Sequence, residues 1–158
     1  MTFPGFEEFI ASLNAHRVRY LIVGGYAVGF HARPRATKDI DVLVDRSEPN
    51  ARRTRAALVH FLGGSAPNIT VAKLRSPRTL VVLGVAPIRI DVLTNVDGIT
   101  SFAAAWKRRV TGAYGRTDAH FVSLEDLMAS KQAAGRPQDR ADLDVLRRAA
   151  QRRRPPRR

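Results

Sequence analysis

Pro34-Arg35-Ala36-Thr37-Lys38-Asp39-Ile40-Asp41-Val42-Leu43-Val44-Asp45 is the stretch on which the reading of the chain turns. It opens as a basic, turn-forming segment and becomes a strand in which Ile40, Val42 and Val44 share one face. The two-residue period puts Asp39 and Asp41 together on the opposite face, roughly 6–7 Å apart. Two carboxylates so placed point at one small region and repel unless positive charge lies between them. A hard divalent cation is the usual solution. The alternative is a pair of solvated strand acids neutralised by surplus arginine, and this stretch alone leaves both readings open.

Upstream, Phe6, Phe9, Ile10 and Leu13 recur at helical spacing, predicting a helix over 4–16. Arg19 to Val23 reads as a short strand that runs into Gly24-Gly25, with a helix starting over Tyr26–His31. Strand, glycine pair, helix presents backbone N–H groups and a helix N-terminus to an anion. A side chain in place of either glycine would keep a phosphate away from the backbone. The same layout also serves as a tight turn with no ligand.

Downstream, Ser47 or Asn50 can cap a helix through about Leu62, with Ala57, Leu58 and Phe61 inward and Arg52, Arg53 and Arg55 outward. Residues 63–68 read as a loop. Strands over Thr79–Leu83 and Ile88–Thr94 follow, joined around Gly84 and Pro87. Asp91 sits on the second strand among apolar neighbours, a costly position without a partner. That partner is an arginine in an ordinary salt bridge, or a metal shared with Asp39 and Asp41. A helix is expected over Ile99–Lys107, with Trp106 as a core or interface residue. Short extended segments follow around Gly112 and Gly115, then a helix capped by Ser123 and Asp126 that carries Leu124, Leu127 and Met128 inward and reaches Lys131. Gly135-Arg136-Pro137 breaks the chain before a last helix from about Gln138 to Ala150, with Leu143 and Leu146 inward. No internal repeat is evident.

The chain has 158 residues and no cysteine, which fits one ordinary domain and removes disulfide and Cys-zinc chemistry. The uncharged run from Leu21 to Phe30 is too short to span a bilayer. The N-terminus lacks a signal-peptide layout. The expectation is a soluble cytoplasmic protein with no membrane partner. Lys and Arg number 27 against 14 Asp and Glu, a formal net charge of +13. Arg152, Arg153, Arg154, Arg157 and Arg158 lie in a Pro-interrupted segment, so 151–158 is expected to be a basic disordered tail on a folded domain of residues 1–150. The body remains basic without it, which suits a polyanionic partner, nucleic acid first.

Together, Gly24-Gly25-Tyr26-Ala27-Val28, Arg35-Ala-Thr37-Lys-Asp39-Ile-Asp41-Val, Asp91, and the stretch from Lys131 through Gly135-Arg136-Pro-Gln-Asp139-Arg-Ala-Asp142-Leu143 resemble the DNA polymerase β-like nucleotidyltransferase superfamily. The nearest look is to its bacterial AbiEii-type, toxin-like branch, over roughly residues 18–148. The resemblance implies an α+β fold, with a mixed sheet flanked by helices and a short C-terminal helical part. It also implies transfer of a nucleoside monophosphate from an NTP to an acceptor hydroxyl with two Mg²⁺ ions. Asp39 and Asp41 would bridge both ions. Asp91 would hold the ion beside the attacking hydroxyl and assist its deprotonation. Gly24, Gly25, Thr37, Lys131 and Arg136 would bind the nucleotide. Gly24-Gly25 stands where many members have Gly-Ser, and Gln138-Asp139 where Lys-Asp is usual.

With the basic charge, the leading expectation is an RNA acceptor (tRNA in particular), a toxin role and a possible antitoxin partner. A small-molecule (aminoglycoside-like) or protein hydroxyl is the second reading. A non-catalytic basic nucleic-acid-binding module is the third, and the presence of all three acids argues against it.

Overall fold

The computed structural model describes residues 4–34, 37–85 and 88–156. Arg35 of the motif, Pro87 of the expected hairpin, and Arg157 and Arg158 of the tail therefore lie outside the described residues. The element order is α1 (Pro4–Ala15), β1 (Tyr20–Val23), α2 (Gly24–His31), β2 (Asp39–Val44), α3 (Glu48–Phe61), α4 (Val71–Arg75), β3 (Leu80–Val85), β4 (Ile88–Leu93), α5 (Phe102–Lys107), β5 (Val110–Tyr114), β6 (Thr117–Phe121), α6 (Leu124–Ala134) and α7 (Pro137–Arg152).

The strands form one mixed sheet in the order β3-β4-β2-β1-β6-β5. β1 runs antiparallel to β2 and parallel to β6, and β2 runs parallel to β4. Antiparallel pairs β3–β4 and β5–β6 form the two edges. Six strands and seven helices among the described residues are compatible with the α+β nucleotidyltransferase fold expected from sequence.

Alternation along the central strands divides the core in two. Tyr20, Ile22, Ile40, Val42, Val44, Ile90 and Val92 join a cluster with Phe6, Phe9, Ile10 and Leu13 of α1 and Ala57 and Leu58 of α3. Leu21, Val23 and Leu43 join Ala27, Val28, Leu127 and Leu146 in the other cluster, built with α2, α6 and α7. Phe6, Phe9, Ile10, Leu13, Leu58 and Leu127 are fully buried. Each such side chain contributes about 1.5–3 kcal/mol by leaving water. The strong apolar periodicity of α1 is therefore the reason that helix was legible.

The differences from expectation are local. α2 starts at Gly24 rather than Tyr26. α5 starts at Phe102, because the Ser101 hydroxyl accepts the Ala104 N–H at 3.2 Å, whereas Ile99 sits in an isolated bridge with Val96. The five-residue α4 has too few residues to show a period, although Thr70 caps it by accepting Lys73 N–H. Gly112 lies inside β5 rather than at a turn, since a side chain there would strike the Phe30 ring. α7 runs two residues past its expected end, and the Arg153 side chain donates to His31 O at 2.6 Å. His31 itself is buried and its Nε2–H donates to Val122 O.

α3 begins at Glu48, so Ser47 holds the N-cap position, but its side chain makes no cap hydrogen bond. Ser47 Oγ donates instead to the Asp45 carboxylate at 3.0 Å. Asn50 is 1% exposed and staples the helix to the sheet: its Oδ1 accepts Arg19 N–H at 2.8 Å, and its Nδ2 donates to Arg19 O and Asp45 O. Leaving these backbone groups without partners costs more than a cap would. Asn50→Ala is expected to lower stability by about 3 kcal/mol in chemical denaturation; a loss below about 1 kcal/mol would contradict the staple.

Candidate active site

The sheet register places the acids. β2 lies between β1 and β4, so Asp41 stands directly beside Val23 on one side and Asp91 on the other. Asp39, two residues earlier, stands beside Arg89. Burial deepens along this face, from half-buried Asp39 and Asp41 to buried Leu43. Immediately after β1 the chain passes through Gly24 with φ of 69°. A Cβ there would fall on the Asp41 carboxylate. Glycine is needed both for the left-handed backbone and for its close approach to the acid.

The pair is electrostatically unbalanced. Burial, followed by the charge and hydrogen bonding of Asp91 and the charge of Asp39, pushes the Asp41 pKa up to about 7, while Lys131 pulls the other way. Asp91 is 9% exposed and is gripped from its own strand by Arg89, with Nε at 2.9 Å from Oδ1 and an Nη–H donating to Oδ2. Arg89 also lies in the fields of Asp39 and Asp41, and the three acids together raise its pKa. The ordinary partner considered for Asp91, an arginine, is thus present.

Opposite the acids, α6 and α7 supply positive charge. Lys131 is buried, not solvated at a helix end, and its Nζ lies 3.3 Å from Asp139 and 3.0 Å from Asp142. Gly135 ends α6 in the left-handed conformation and Pro137 opens α7. Arg136 between them donates from its backbone and from Nε to the Asp139 carboxylate, at 3.1 and 2.7 Å. These bonds hold the Asp139 pKa below its usual value, with Arg136 first and Lys131 next among the cations responsible. The Arg136 side chain remains largely exposed and senses the charge of Asp41.

A cleft of about 470 Å³ lies between the two groups, lined by Gly24, Asp41, Asp91, Asn95, Asp97, Ser130, Lys131, Arg136 and Asp139, among others. Of the residues expected from sequence, the cleft brings together Gly24, Asp41, Asp91, Lys131 and Arg136. Asp39 lies beside them at the start of β2, outside the lining. Gly25 is buried in α2, and the Thr37 hydroxyl donates to Asp39 O at 3.2 Å, so neither lines the cleft. Gln138 donates to Asp142 at 3.1 Å rather than lining the cleft.

Arg89, Asp139 and Asp97 contribute to the site without having been given a role from sequence. Arg89 was legible, being two residues before Asp91 and on the same strand face. The pairing of Asp139 with Arg136 was legible as a third-position helix acid. Asp97 lies in a turn and carried no signal.

A pair of neighbouring carboxylates suits a hard cation, because the donors present are all oxygens. Among the described residues no three His, Asp or Glu side chains already stand in a ligand set. In this arrangement the Arg89 guanidinium, forked on Asp91, supplies the counter-charge. Asp41 and Asp91, side by side in register with Asp39 alongside, offer a set of oxygen donors that fits a divalent ion.

Residues 5–146 match the sequence profile of a family described as "Nucleotidyltransferase of unknown function (DUF6036)". A comparison with curated proteins finds no match. No helix among the described residues is long and apolar enough to cross a membrane.

The raised pKa of Asp41 means that folding without a cation becomes less favourable as pH climbs from about 4 to 7, and the penalty is complete above 7. In EDTA, Asp41→Asn should therefore stabilise the protein by about 1–3 kcal/mol at pH 8 and by almost nothing at pH 4. Urea denaturation at the two pH values checks this. Equal effects at both would show that Asp41 carries no such strain.

Proposed function

The chain belongs to this nucleotidyltransferase family, and from that premise we propose that it transfers a nucleoside monophosphate from an NTP to an acceptor hydroxyl. The observation that carries the proposal is the in-register Asp41–Asp91 pair beside the Gly24 backbone, facing Lys131 and Arg136 across one cleft.

In this reading the acceptor oxygen attacks the α-phosphorus in line, the bond to the β-phosphate breaks, and pyrophosphate leaves. Asp39, Asp41 and Asp91 would hold two Mg²⁺ ions. Such ions, when bound, neutralise triphosphate charge and lower the pKa of the attacking oxygen. Asp91, which lines the cleft beside Asp41, is the group to receive the acceptor proton once Arg89 yields one of its oxygens. Gly24 opens α2, whose first-turn N–H groups have no helical acceptor and offer a phosphate site. Arg136 offers an exposed guanidinium to the leaving phosphates. Lys131, braced between Asp139 and Asp142, supplies a fixed positive charge behind them. Gly25 belongs to that same first turn of α2, and the Thr37 hydroxyl, bonded to Asp39 O, steadies the start of β2.

The acceptor in this proposal is RNA, supported by the formal charge of +13. The motif resemblance carries the reading further, to an AbiEii-type toxin acting on tRNA with an antitoxin partner in the cytoplasm.

The purified protein, incubated with each α-labelled NTP, Mg²⁺ and total RNA, is expected to label RNA. Asp41→Asn should reduce labelling at least about 100-fold. It should also remove the rise in Tm that NTP with Mg²⁺ gives the wild type. Equal labelling by wild type and variant would sink the site, whereas label appearing on protein or a small molecule would move the acceptor class and keep the site.

A further inference from the structure

Arg17, Arg19 and Arg53 line a second cleft, of about 580 Å³, together with Trp106, Asp118 and His120. It lies at the other end of β1 from the acid pair. Arg19 precedes that strand and Gly24 follows it, so roughly 17 Å of chain separates the two sites.

The charge in this cleft is unpaired. Arg52, Arg89, Arg108 and Arg136 each meet a carboxylate. Among the described residues no ion pair holds Arg17, Arg19 or Arg53, and Asp118 is the sole acid in the lining. Like charges are even gathered here. The guanidinium of Arg109 sits 3.7 Å from the Trp106 ring centroid and that of Arg19 sits 5.9 Å from it. Such an arrangement is favourable to each cation singly and repulsive between them, and it attracts an anion.

Arg17 is presented to the cleft from just past the end of α1. Its N–H donates to Asn14 O and the next N–H, of Val18, donates to Leu13 O, a capping pattern that puts Arg17 two residues past the end of α1. Its φ is 55°, the left-handed conformation where glycine is preferred. The charge of Arg17 is therefore carried at a backbone position that glycine would occupy more readily.

Trp106 is engaged by Arg109 on its ring and stacks with Phe102 at 6.0 Å. It orders the guanidiniums rather than offering a free platform to a base. Recognition here is by charge, which suits a phosphodiester backbone and tolerates any base sequence.

We infer that the Arg17–Arg19–Arg53 cleft binds backbone phosphates of the RNA acceptor and holds the strand while its hydroxyl reaches the Asp41–Asp91 site. This rests on the RNA-acceptor reading above.

The test is fluorescence anisotropy of the full chain with a labelled, mixed-sequence single-stranded oligoribonucleotide over a range of salt. Neutralising three phosphates contributes about 2 to the log–log salt slope, at about 0.7 each. The triple variant Arg17→Ala, Arg19→Ala, Arg53→Ala should lose that much slope and bind more weakly. Its Tm increment from NTP with Mg²⁺ should persist, which reports that the distant site is intact. Arg17→Gly separates binding from folding: it should raise Tm, because the strained backbone relaxes, and still lower the slope by about 0.7. A triple variant with wild-type affinity and slope overturns the cleft and leaves the RNA reading standing. A wild type with no salt-dependent RNA affinity overturns the RNA reading, and the cleft with it.

Discussion

The parallel pairing of β2 with β4 is the constraint on which the rest depends. It sets Asp41 against Asp91 in one register step, with Gly24 closing over them from β1. Burial first, and then the neighbouring Asp91 carboxylate, make ionisation of Asp41 costly and push its pKa up to about 7. A slip of one residue would turn both acids into the apolar layer under α1 and α3. Ile40, Val42, Ile90 and Val92 forbid it, because each is buried on that opposite face. The hydrophobic core thereby holds the acids together against their repulsion.

The remainder of the site reads as a response to that concentrated negative charge. Arg89 answers it from within β4, reaching back over Asp91. Lys131 and Arg136 answer it from across the cleft, and Asp139 and Asp142 keep those cations in position. Lys131, Asp139 and Asp142 are all nearly out of water, so removing any one partner strands a charge. The rigid α6–α7 corner, with Gly135 ending one helix and Pro137 starting the next, gives this charge network a fixed distance from the sheet.

Much of this was legible because strands have a period of two. Asp39 and Asp41 on one face, Asp91 among apolar neighbours, and the Gly-Gly turn could all be read before any fold was known. The resemblance to nucleotidyltransferases rested on the same residues and agrees with the family match over residues 5–146. Sequence could not say which same-face acids meet, because register belongs to strand pairing across distant segments. Asp41 faces Asp91, whereas Asp39 faces Arg89. Nor could it show that Lys131 is buried, since that follows from how α6 and α7 pack. Asn50 read as a helix cap because its backbone partners, Arg19 and Asp45, come from another element and a preceding turn. Helix α4 and the Asp97 turn carry too short a pattern to be read at all.

The most direct measurement is anomalous diffraction from crystals grown with Mn²⁺ and a non-hydrolysable NTP analogue. The account predicts a manganese peak between the Asp41 and Asp91 carboxylates, with Arg89 no longer forked on both Asp91 oxygens and phosphate density at the Gly24 end of α2. Manganese bound elsewhere, with the Arg89–Asp91 pair intact and no nucleotide in the cleft, would contradict it.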